Sequence, residues 1–273
     1  MTGLRLLLRA PLRTFRFSNI YSLLGAMLLV WTASADHCTA QLCAPLSGTN
    51  FSENFNSLAA SGSSVLVPSE FAYVESGGSG NLTYAADNGS STVGNTYSYG
   101  TTGSSDRALG GLTTSTVQST IGACFVNNTN QPFTSFTIGY TGEEWRLGAT
   151  GTVDGLDFEY STDATALTSG TYVPAHGLDF FSPNNDAGSI GALDGNAAGN
   201  RTVFAPFTIT PASPIQPAST FYIRWRPILV SGTNTNDGLA IDDFTIGTTS
   251  VPEPSCVFLL GSGLLLSLFR RNK

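Results

Sequence analysis

The chain has 273 residues, 12 Lys+Arg against 19 Asp+Glu, a formal net charge of -7 and 30 glycines. Seven of the twelve cations lie near the two ends, so residues 36 to 250 keep five arginines, no lysine and eighteen acids, a net charge of about −13. Such a body is repelled by nucleic-acid phosphates and anionic lipid, which excludes DNA or RNA binding, and its roughly 215 residues suffice for one sizeable core.

The first segment is basic and then apolar. Arg5, Arg9, Arg13 and Arg16 are accompanied by no acid, Ile20 to Trp31 is a continuous apolar run, and Ala33-Ser34-Ala35 supplies small residues. That is the order of a secretory signal peptide with an extended basic start, cut near Asp36. A mitochondrial presequence shares the arginines, but its helix is amphipathic and this run is not. Residues 1–35 therefore read as a leader handled by the Sec translocon and signal peptidase, and 36–250 as the exported body. An oxidising compartment permits a disulfide between Cys38 and Cys43, five apart, while Cys124 in an apolar strand-like run reads as a buried thiol. No Cys-x-x-Cys or Cys/His cluster occurs, which argues against a zinc site.

The body is a succession of short apolar runs bounded by Gly, Ser, Thr and Asn, a β signature. Strands are expected at Phe51–Leu58, Asn81–Ala85, Thr96–Gly100, Ala108–Leu112, Ile121–Asn127, Phe133–Thr141, Gly155–Ser161, Gly177–Phe181, Thr202–Thr210, Thr220–Pro227 and Leu239–Ile246. A 3.6-residue period is missing outside the terminal segments. The expected fold is all-β, two packed antiparallel sheets in a sandwich. Strands show one face to the core at every second position: Phe136, Ile138 and Tyr140; Leu156, Phe158 and Tyr160; Phe221, Ile223 and Trp225. Leu239 and Ile241 share a face, and Phe244 and Ile246 resume it after Asp242-Asp243, so a β-bulge is expected at the doubled aspartate.

Three kinds of chemistry are worth placing on this frame. A calcium ion needs several oxygen ligands; should one bind, Asp237, Asp242 and Asp243 are the first candidates, although turn-forming Asp and Asn account for the same residues. Asp157 and Glu159 share a strand face and are close enough for the two-carboxylate chemistry of a glycoside hydrolase. Glu143 and Glu144, being adjacent, point to opposite faces. Only His37 and His176 exist and no Gly-x-Ser-x-Gly elbow occurs, which leaves nucleophilic schemes without support. The five arginines are expected to pair with carboxylates across strands, Arg146, Arg224 and Arg226 among them. Trp145 and Tyr222 are candidates for stacking on a sugar ring, whereas Trp225 has the phase of a core residue.

The chain closes with Val251-Pro252-Glu253-Pro254, fifteen uncharged residues from Ser255 to Phe269, and Arg270-Arg271-Asn272-Lys273. The prolines break any preceding strand. As a helix the apolar run rises roughly 22 Å, short of a ~30 Å hydrocarbon core, a deficit that snorkelling and local thinning can meet. Arg270, Arg271 and Lys273 keep to the cytoplasmic side. This three-part ending, residues 251–273, resembles the PEP-CTERM sorting signal of Gram-negative, exopolysaccharide-producing bacteria. The resemblance implies recognition by an exosortase, a membrane transpeptidase-like enzyme that cuts near Pro252-Glu253-Pro254.

Phrases of the body resemble a module of secreted bacterial β-sandwich proteins often found with that tail. They are Ser105 to Gly110, Gly142-Glu143-Glu144-Trp145-Arg146, Leu156 to Ser161, and Asp237-Gly238-Leu239-Ala240-Ile241-Asp242-Asp243-Phe244. The last also resembles the closing strand of jelly-roll, concanavalin-like and MAM-type domains. The resemblance implies a jelly roll and no particular activity. The expectation is an envelope or extracellular-matrix protein, held briefly in the inner membrane, whose non-catalytic body binds or structures exopolysaccharide. The alternative is a secreted glycan hydrolase using Asp157 and Glu159. No cofactor is implied beyond calcium.

Overall fold

Period-two alternation carries through into strands. The computed structural model describes residues 41–185, 190–228 and 236–250, all within one unit, 38–273. In chain order the strands are β1 (Ala44–Leu46), β2 (Phe51–Glu53), β3 (Ser63–Ser64), β4 (Phe71–Ser76), β5 (Tyr84–Asp87), β6 (Asn95–Tyr99), β7 (Ala108–Leu112), β8 (Gln118–Asn127), β9 (Phe133–Leu147), β10 (Gly155–Ser161), β11 (Val173–Pro174), β12 (Phe180–Phe181), β13 (Gly191–Ala192), β14 (Arg201–Ile209), β15 (Thr220–Ile228) and β16 (Gly238–Ser250). Two single 3-10 turns, His176–Leu178 and Ala198–Asn200, are the only helical pieces among the described residues. No helix there is long and apolar enough to cross a membrane.

One sheet runs β1-β8-β15-β10-β11, with β4 also on β8 and β12 on β10. The other runs β13-β9-β16-β7-β6-β5-β3, with β14 also on β9 and β2 on β16. The two pack as a sandwich consistent with a jelly roll. Pairing is antiparallel except for β1 with β8 and β5 with β6, which are parallel, a departure from the wholly antiparallel expectation. Strand β4 has no counterpart in the sequence reading, because it lies at an edge and most of its residues are half-buried, which blurs the alternation.

The faces are those expected. Phe136, Ile138, Tyr140, Leu156, Phe158, Tyr160, Phe221, Ile223, Trp225, Leu239, Ile241, Phe244 and Ile246 belong to one core between the sheets. The bulge in β16 is real. Its register against β9 shifts between Asp242 and Thr245, Asp243 takes a positive φ of 48°, and there β16 changes neighbour from β7 to β2. The slip lets Phe244 re-enter the core.

The cysteine pairing differs from expectation. Cys43 is bonded to Cys124, 81 residues away; Cys124 is therefore no free thiol, and Cys43 is unavailable to Cys38, which lies outside the described residues. The cause is topological. Strand β1 runs parallel to β8, pairing Ala44 with Phe125, and this sets Cys43 beside Cys124, a proximity that spacing along the chain cannot reveal.

Candidate functional site

On the outer face of the first sheet, Asp157 of β10 stands opposite Arg226 of β15, and Glu159 opposite Arg224. Alternation puts all four on one face. Arg224 grips Glu159 with Nε and Nη2, each 2.7 Å from Oε2. Arg226 reaches Asp157 at 3.2 Å and Glu159 at 3.4 Å. Arg224 also donates to the Leu167 carbonyl and lies 3.5 Å from the ring centroid of Tyr172. Both carboxylates expected to serve hydrolysis are thus held by guanidinium groups. Asp157 is pushed above its ordinary range, mainly by burial and then by the charge of Asp179.

His176 joins this strip, which the sequence left as a lone loop residue. Its Nδ1 is 2.7 Å from Asp179 Oδ2, and its side chain is 74% exposed. That hydrogen bond raises the imidazole above its usual pKa. Asp157, His176 and Asp179 offer ligand atoms within 4.8 Å of one another, yet His176 is occupied with Asp179, and Asp157 with Arg226.

The sugar-stacking candidates are not available. Trp145 is 1% exposed, stacked on Tyr99 with centroids 6.0 Å apart and donating from Nε1 to Glu143. Two loops cover it. Gly89, at φ +86°, leaves no room for a Cβ beside the Trp145 carbonyl, and Gly195 none beside the indole. Tyr222 is buried with Cys124, Ala164 and Leu167, and its hydroxyl donates to the Thr165 carbonyl. Both rings lie on outer sheet faces that long loops roof over, so alternation gave their direction but not their exposure. Arg146 donates to the Gly89 carbonyl in place of the carboxylate pairing expected for it.

The three calcium candidates do not meet. Five residues of extended chain, roughly 16 Å, separate Asp237 from Asp242. Asp237 accepts from Gly148 N and lies beside Asp154. Asp242, on the far side of Ile241, feels Glu143, Asp243 and Asp106 instead. Glu143 and Glu144 do part company, Glu143 to Trp145 and Glu144 to Asn184. The Pro252-Glu253-Pro254 motif, Arg270, Arg271, Lys273, the leader and Cys38 lie outside the described residues.

Burial, reinforced by Glu143 and Asp243, pushes Asp242 up to about 8, against a hydrogen bond from Asp243 N that lowers it. In the fold this carboxyl keeps a proton that the unfolded chain gives up near pH 4. Stability is therefore fully present below that pH and is lost as pH rises towards 8. Asp242→Asn retains an oxygen for the Asp243 N–H and carries no charge. It is expected to stabilise the protein by about 2 kcal/mol at pH 8.5 and to be neutral at pH 4, as read from urea unfolding in EDTA. An equal effect at both pH values would show that ionisation of Asp242 is not the cause.

No family model matches the sequence, and no curated protein sequence does. Similar solved structures include TmCBM61 in complex with beta-1,4-galactotriose, with a TM-score of 0.29, 10% identity and coverage of 54% of this chain and 74% of that one. Another is the enzymatically active domain of tailspike protein 4 of bacteriophage CBA120, with a TM-score of 0.32, 12% identity and coverage of 71% of this chain. Of that tailspike domain's length only 22% is covered. At these scores neither likeness carries a function across.

Proposed function

We propose that the chain is an exported protein of the cell envelope or extracellular matrix, sorted by an exosortase, whose sandwich binds or structures exopolysaccharide without catalysis. The observation that carries export is the Cys43–Cys124 bridge, since disulfides persist in oxidising compartments. It agrees with a leader over residues 1–35 and with the ending Pro252-Glu253-Pro254, apolar run, Arg270-Arg271-Asn272-Lys273. The non-catalytic reading draws support from the ion pairs. A glycosidase needs one carboxyl free to give a proton and a second free to attack or to activate water, whereas Asp157 and Glu159 are both spent on arginines. The same strip suits sugar hydroxyls, with the half-exposed Arg226 head and the His176 ring at its rim.

The test is fractionation of the producing cell. Wild-type protein is expected in the medium or envelope in a shortened form, retarded by the producer's own polysaccharide in affinity electrophoresis and releasing no reducing sugar. Glu253→Ala is expected to leave a full-length, membrane-held form. Unchanged processing would overturn the sorting route, unretarded migration the polysaccharide partner, and sugar release the non-catalytic reading.

A further inference from the structure

At one end of the sandwich three buried carboxylates come from distant parts of the chain. Glu144 is on the inward face of β9, Asp154 immediately precedes β10 in the opposite sheet, and Asp237 immediately precedes β16. With Asn236 they are at most 4% exposed. Asp237 N donates to Asp154 Oδ2 at 2.8 Å, Gly148 N to Asp237 Oδ1 at 2.8 Å, and Asn184 N to Glu144 Oε2 at 2.8 Å. One oxygen of each group is thereby anchored by backbone. Of the remaining oxygens, Glu144 Oε1, Asp154 Oδ1 and Asn236 Oδ1 are buried without a hydrogen-bond partner, while the Asp237 carboxylate has the Ser182 hydroxyl as a further donor. Asn236 Nδ2 donates to the Thr113 carbonyl, which turns its own oxygen away from that bond.

Three partnerless buried oxygens in one neighbourhood are far from the usual state of a folded protein, where nearly every buried polar group is satisfied. Each carries the desolvation cost of a hydrogen bond left unmade, larger where the group is charged. No arginine or histidine is paired with any of the three acids among the described residues. Protonation relieves the set only in part, because the O–H gained by one acid serves a single neighbouring acceptor and leaves the rest unsatisfied. Asp154, Asn236 and Asp237 line, together with Thr113, a cavity of about 10 Å³, which is near the space of one water-sized sphere. Glu144 is not part of that lining, but the charges of Asp237 and Asp154 reach its carboxylate.

We propose that Asp154, Asn236 and Asp237, with Glu144 as third carboxylate, form a buried site for one hard divalent cation of calcium's size. All four donors are oxygens, as such an ion requires, and backbone hydrogen bonds hold the far oxygen of every carboxylate so that the near one can ligate. The ligand atoms of Glu144, Asp154 and Asp237 do not all lie within 4.8 Å of one another, as those of the surface trio Asp157, His176 and Asp179 do; a bound cation would draw them in. Calcium's flexible coordination at 2.3–2.6 Å accepts this, whereas magnesium demands a tight octahedron. The ion would join β9 and β16 of one sheet to the start of β10 in the other, clamping that end of the sandwich. The site is independent of export and of polysaccharide binding.

The test uses the full chain in detergent, stripped with EDTA and titrated with calcium chloride alone. One ion per chain is expected by calorimetry, with magnesium at least tenfold weaker. At a hundredfold excess over Kd the unfolding midpoint should rise by about 5–10 °C. Asp154→Asn and Asp237→Asn are each expected to weaken calcium at least tenfold. In EDTA they should melt no lower than wild type, because the new amide donates to the oxygens left without partners, so that lost binding is not lost folding. Glu144→Gln should behave likewise. Absence of calcium uptake at millimolar concentration would overturn the proposal, as would uptake that survives Asp154→Asn and Asp237→Asn but disappears in Asp242→Asn. Equal affinity for magnesium would overturn the assignment to calcium.

Discussion

Replacing Cys43 and Cys124 together by alanine is expected to lower the unfolding free energy by about 4.5 kcal/mol and the midpoint by about 10–15 °C. The bridge spans 81 residues, so in the unfolded chain it closes a long loop and removes much of that chain's freedom. Strand β1, three residues long, has little else to hold it against β8, and the variant is expected to expose it first. Reductant should lower the wild type to the level of the variant and leave the variant unchanged. Cys38→Ala should change neither. The assignment fails if thiol labelling shows a fully reduced wild type that melts at its oxidised temperature. It fails equally if Cys38→Ala reproduces the loss.

Phe244→Ala is expected to cost about 3–5 kcal/mol in urea unfolding, the range for deleting a buried aromatic ring. Phe244 packs against Phe71 at 5.5 Å, Trp225 at 5.8 Å, Phe125 at 6.0 Å and Phe51 at 6.4 Å between ring centroids. It therefore joins strands of both sheets. The ring reaches the core only because Asp243, at φ 48°, absorbs the extra residue of the bulge. Phe244→Leu keeps most of the buried area and should recover more than half of the loss. A cost below about 1.5 kcal/mol for the alanine variant would mean that the neighbouring rings close the gap, and that the centre of the core lies elsewhere.

The disulfide and Phe244 divide the molecule along a useful line. The inward direction of Phe244 could be read locally. Side chains alternate with period two along a strand, and Ile241-Asp242-Asp243-Phe244 breaks that period by one, so the bulge and the face after it follow from neighbours in the chain. The same reasoning correctly set Asp157 and Glu159 on one strand face, expected cross-strand carboxylates for Arg224 and Arg226 without naming them, and sent Glu143 and Glu144 apart. It went wrong with Trp145 and Tyr222. Both point away from the core, as alternation says, but loops carrying Gly89, Gly195, Ala164 and Leu167 cover them, and where a loop settles is not a property of the strand beneath it.

By itself the sequence determined the fold class, the inward residue of each main strand, the acidic balance of the body and the expectation of export, because each rests on composition or on spacings of a few residues. Only the tertiary structure decided that Cys43 meets Cys124, that both arginines are spent on the carboxylates, and that Asp154, Asn236 and Asp237 line a common cavity. Those meetings join positions as much as 83 residues apart, and the register between whole strands, set by the packing of the entire core, determines which distant residues come together.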